Sequence, residues 1–137
     1  MNHTILASSG LFISCCLALT FFTGPWLNWM LPGNIPLGNL VAILAYLSGA
    51  WLSRLLAPAR GVLAVLSILA VIAALSWFPL GVWLAGNLQL NFIAAPERAR
   101  WFVQLSLVLA AYILTVLLAT LILRGYRRRS VVDSATS

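Results

Sequence analysis

Few residues in this chain could do chemistry. The candidates are one histidine (His3), one glutamate (Glu97), one aspartate (Asp133), an adjacent cysteine pair (Cys15 and Cys16) and eight arginines, with no lysine. Catalysis needs acids, bases or nucleophiles gathered in a protected place, and these residues are scattered. A single histidine cannot supply two axial ligands to a haem between helices. No acid stands inside an apolar run, where it could relay protons. Paired-carboxylate hydrolysis needs two acids on one site, and Glu97 and Asp133 fall on opposite sides of a membrane in the topology derived below. The expectation is a protein with no catalytic residue, no metal and no cofactor.

The cysteines need a separate argument. Adjacent helical residues point about 100° apart, so a disulfide between them is not expected. A vicinal cysteine pair in a first helix resembles that of bacterial mercuric-ion transport proteins, in which thiolates pass on a soft metal. The resemblance covers two residues. Those proteins carry further cysteines to receive the metal, and this chain has none. Cys15 and Cys16 therefore read as small apolar packing residues. Met1 to Thr4 carry no lysine or arginine, so the run that follows reads as a membrane span and not as a signal peptide or lipoprotein leader.

The elements that must hold these residues follow from composition. The chain has 137 residues, 63 % apolar and 7 % charged, and its mean hydropathy is +1.04. Soluble domains have roughly 25 % charged and 45–50 % apolar residues. There is too little polar surface here for a water-soluble fold, and too much hydrophobicity for disorder. At about 20 apolar residues per crossing, the apolar content suffices for four crossings with no soluble domain. The sequence predicts a single all-α membrane domain over residues 1–137, with four transmembrane helices in a compact up-down bundle. The spans are expected at about 5–27, 37–57, 61–84 and 101–123. Residues 124–137 are expected to form a basic, then disordered, cytoplasmic tail.

Prolines and glycines mark the breaks. Gly24-Pro25 ends the first span, and Pro32, Gly33 and Pro36 make the following stretch an interfacial loop. Pro58-Ala59-Arg60 is a tight turn. Pro79 is expected to kink or divide the third helix. Asn87, Gln89 and Asn91 alternate with Leu88, Leu90 and Phe92, which predicts an extended segment along the membrane surface. Pro96-Glu97 reads as a helix start, where the missing N–H is harmless and the carboxylate meets the positive end of the dipole.

Six arginines (Arg54, Arg60, Arg124, Arg127, Arg128, Arg129) fall on the side of the termini, against Arg98 and Arg100 on the other. The positive-inside rule then places both termini in the cytoplasm, in a bacterial inner membrane. Trp26, Trp29, Trp83 and Trp101 suit the opposite membrane–water interface. Arg54 reads as a span-end anchor that snorkels to the headgroups, with a substrate or lipid contact as its alternative. The cluster Arg124, Arg127, Arg128 and Arg129 reads as an orientation anchor, with specific anionic-lipid binding as its alternative. A net charge of +6 would suggest nucleic acid in a soluble protein. At span ends it marks topology instead, so no nucleic-acid partner is expected.

Membrane helices associate where small residues let backbones approach. Gly10, Ser14 and Ala18 recur every fourth residue on the first helix, and Ala45 and Gly49 do so on the second. These five are expected to pack against another helix, of this chain or of a partner, while Phe12, Leu19 and Phe22 fall mainly elsewhere and suit lipid or looser packing. In functional terms the sequence points to a non-catalytic accessory subunit, assembly factor or protective partner of another membrane protein. Membrane lipid is a further expected partner, and self-association is the alternative to a protein one. The competing reading is a small oligomeric transporter or a lipid or polyprenyl flippase component. Four-span multidrug transporters depend on a glutamate in the first helix, which is absent here. A pore would show a polar stripe along one helix, and none does.

Overall fold

A computed structural model describes residues 2–137. It has four long helices: α1 (His3–Phe21), α2 (Leu37–Leu56), α3 (Val62–Ala85) and α4 (Pro96–Thr136). All four are long and apolar enough to cross a membrane. In the bilayer every backbone donor and acceptor must be satisfied within the segment, and these unbroken runs of Leu, Ile, Val and Ala do so as helices. The chain is an all-α integral membrane protein of four spans in up-down order.

The central element is α2. Close backbone packing joins α1 to α2, α2 to α3, α3 to α4 and α2 to α4. The three helices α2, α3 and α4 therefore enclose a common core, and α1 leans on α2 from outside it. The inward stripe of α3 is Ala64, Ser67, Ala70, Ala74, Trp77 and Gly81, all buried. Their spacing of three and four places them on one face, and most are small, which permits close helix approach.

Between α1 and α2 the chain forms a 3-10 turn (Pro25–Asn28) and a two-stranded antiparallel ribbon, β1 (Met30–Leu31) with β2 (Ile35–Pro36). Gly33 and Asn34 have positive φ at its tip, a conformation that glycine and asparagine tolerate best. The first helix thus stops at Phe21, ahead of the limit of 27 expected from hydropathy alone.

Three further expectations are corrected. The helix α3 is not divided at Pro79; the proline removes one hydrogen bond near the end of a long apolar helix, and neighbouring helices hold the rest in place. Residues 87–92 do not extend along the surface. The Asn87 side chain accepts from the Asn91 N–H (2.9 Å) and donates to the Asn91 carbonyl (2.8 Å), closing a compact loop. Leu90 and Phe92 tuck beneath it against the core. Finally, α4 continues through the basic cluster to Thr136, so the residues from Ser130, expected to be disordered, are helical up to Thr136. Gly125 does not end the helix because it does not take the positive φ of a C-terminal cap. At 41 residues the helix is roughly 60 Å long by its 1.5 Å rise, twice the ~30 Å hydrocarbon layer. Every residue from Arg124 onward is exposed.

A lateral cleft as the candidate functional site

The α2–α3–α4 core is closed by aromatic rings. Trp77 lies 4.9 Å from Tyr46 and 5.2 Å from Phe102, and Phe92 from the loop stacks on Phe102 at 5.5 Å. Gly81 makes room for this group, since a Cβ there would sit 2.6 Å from Phe102 Cζ. Ser106 ties the cluster together. Trp77 Nε1–H donates to its hydroxyl (2.8 Å), that hydroxyl donates to the Phe102 carbonyl (2.7 Å), and Tyr46 donates to the Ser106 carbonyl (2.8 Å). Tyr112 donates to the Leu66 carbonyl at 2.6 Å and joins α4 to α3. Ser53, Ser67 and Thr120 return their hydroxyls to carbonyls one turn back, as expected for hydroxyls within helices. Among the described residues, no buried side-chain nitrogen or oxygen lacks a hydrogen-bond partner.

The α1–α2 seam departs from its predicted form. Ala45 and Gly49 of α2 are buried. A Cβ on Gly49 would lie 2.6 Å from Phe12 Cε2 and 3.1 Å from Ile113 Cγ2. Gly10 and Ser14 are exposed, Ala18 is half-buried, and a Cβ on Gly10 would meet nothing within 4 Å. Within this chain the packing face of α1 is therefore not the small stripe Gly10–Ser14–Ala18. Phe12, which by sequence suits lipid or looser packing, is the knob, and Gly49 provides the hole. At this seam the small residue that permits close approach is on α2, the helix that receives the bulky ring.

Because α1 and α4 both rest on α2, a cleft runs between them. Its arginine end has a volume of about 890 Å³ and is lined by Asn2, Ile5, Ser9, Phe12, Leu52, Leu117, Leu121, Arg124 and Arg128, among others. Its other end holds about 240 Å³, between Phe12, Cys16, Ala45, Tyr46, Trp77 and Ile113. Phe12 lines both halves. There it packs, with Ile5, against Leu52, Leu56 and Leu117. The cleft is thus apolar along its length and basic at one mouth. Beside that mouth a recess of about 310 Å³ lies between Pro58 and α4, lined by Arg124, Arg127 and Arg128.

The remaining predicted residues distribute by type. Trp29, Trp83 and Trp101 are exposed at the loop end of the bundle. Trp26 is half-buried there and donates its indole N–H to the Phe22 carbonyl. Arg54 is half-buried at the end of α2, Arg60 is exposed in the turn after it, and Arg129 is exposed on α4. Cys15 is buried against the bundle, while Cys16 lines the cleft. No three His, Cys, Asp or Glu side chains converge as a metal site among the described residues. The sequence reading missed the cleft, which joins residues near both ends of the chain. One signal was present: Leu117, Leu121, Arg124 and Arg128 recur at helical spacing, an apolar stripe that turns basic on the same face.

No family model matches this chain, and neither a known protein nor a solved structure aligns with it significantly.

Proposed function

We propose that this chain is a non-catalytic four-span protein of a bacterial inner membrane, with both termini in the cytoplasm. It works by binding, as an accessory subunit, assembly factor or protective partner of another membrane protein. The observation that supports this reading best is the state of the core. Among the described residues its buried polar side-chain atoms are all engaged in hydrogen bonds, its packing residues are alanines, aromatics and the aliphatics Leu109 and Ile113, and its polar groups are neutral hydroxyls and an indole. Such a core holds helices in place and contains no carboxylate or imidazole to serve as acid, base or proton carrier. Glu97 and Asp133 stand at opposite ends of α4, too far apart to act on one substrate. The exposed basic end of α4 carries the helix on past its apolar span.

The experiment is affinity purification from native membranes in mild detergent, with mass determination of the intact complex. A second membrane protein in fixed stoichiometry is the expected result. A homo-oligomer of this chain alone would overturn the reading in favour of an oligomeric transporter or flippase component. That second reading draws on the lateral cleft, which is open to amphiphiles from the bilayer.

A further inference from the structure

We propose that the arginine half of the α1–α4 cleft binds one anionic phospholipid, with its phosphate on Arg124 and Arg128 and an acyl chain laid along Ile5, Ser9 and Leu117.

Depth is the first argument. The lower cleft extends on α1 from Asn2 to Phe12 and on α4 from Leu117 to Arg128. By helix rise each stretch is about 15 Å, half of the ~30 Å hydrocarbon core. The site is therefore one leaflet deep, with the arginines at headgroup level and Phe12 near the midplane. Its volume of about 890 Å³ lies within the ~300–1,000 Å³ of ordinary ligand sites.

Charge is the second. Arg124 and Arg128 are four residues apart and line the same wall as Leu117 and Leu121. Two guanidinium groups beside an apolar trough match a phosphate attached to a chain. The positive end of the α1 dipole lies at the same mouth and adds to the field. No acid competes for them. Glu97 is at the far end of α4. Asp133 is turned away around the helix by about 140° from Arg128 and about 180° from Arg124.

Shape is the third. A partner helix lying in the cleft would need its full length. Phe12, packed against Leu52, Leu56 and Leu117, bridges the two walls halfway. The trough below it accepts a chain that ends at the midplane and stops one that would cross. The proposal holds whether the protein serves as a subunit or as part of a transporter.

The test is native mass spectrometry of the delipidated full-length protein in detergent, titrated with phosphatidylglycerol. The controls are phosphatidylcholine with the same acyl chains and inorganic phosphate. One phosphatidylglycerol should bind per chain, at least tenfold more tightly than phosphatidylcholine, and inorganic phosphate should not displace it. R124Q/R128Q removes two charge-assisted contacts and should weaken binding by about tenfold or more. R60Q/R129Q removes the same charge outside the cleft and should change it less than about threefold. Ser9→Phe fills the trough without altering charge and should also abolish binding. Equal losses in the two arginine pairs would overturn the proposal in favour of unspecific attraction to a basic surface. Equal affinity for both lipids, displacement by phosphate, or unchanged binding in Ser9→Phe would each overturn it as well.

Discussion

Phe12 and Gly49 decide how the first helix is held. The ring occupies the space that any side chain at Gly49 would need. Inserting bulk into a filled seam costs about 1–3 kcal/mol or more. Gly49→Leu should therefore lower the melting temperature in detergent and the folded yield, whereas Gly10→Leu should leave both near wild type, because Gly10 faces open space. Thermal melts of the two variants side by side check this, and equal losses would contradict the seam. A second residue-scale prediction concerns Tyr112. Tyr112→Phe removes the hydrogen bond to Leu66, and interhelical bonds in membranes average about 0.6 kcal/mol. A small drop in melting temperature is expected, well below that of Gly49→Leu.

At the scale of elements, some of this was legible in the sequence and some was not. Hydropathy and the proline and glycine breaks located all four helices, because burial of backbone polar groups in lipid forces an apolar run into a helix. The packing face of α1 was hidden. His3–Phe21 is apolar around its whole circumference, so periodicity carries no information, and fit against Gly49 decides. The compact form of residues 87–92 is hidden because alternation of Asn, Gln, Leu and Phe suggests an extended segment, while the Asn87 side chain closes the chain on itself. The end of α4 was misread because a polar composition does not by itself unwind a helix already nucleated by a span. Since each of its residues is exposed, removing residues 130–137 should leave the melting temperature of the bundle unchanged. A clear loss of stability on that truncation would mean that the helical end docks elsewhere.

For the whole molecule, orientation and inertness are the two claims. The six-to-two division of arginines predicts that reporter fusions after Asn34 and Asn91 report the outer side, and one after Ser137 the cytoplasm. The reverse pattern would contradict the proposed orientation and would place Arg124 and Arg128 in the outer leaflet. One wall of the candidate cleft, the stripe from Leu117 to Arg128, is legible in the sequence, but the cleft itself exists only where α1 and α4 flank α2.

The central claim is that this protein acts by binding and not by chemistry. The most direct measurement is complementation of a deletion strain by a chain in which His3→Ala, Glu97→Gln and Asp133→Asn are combined, at matched protein level. These three are its only side chains of the carboxylate and imidazole types. Full restoration of the wild-type phenotype is predicted, since none of them is placed in the bundle core. Loss of complementation with normal membrane insertion would contradict the account and point to a reacting or proton-carrying group among them.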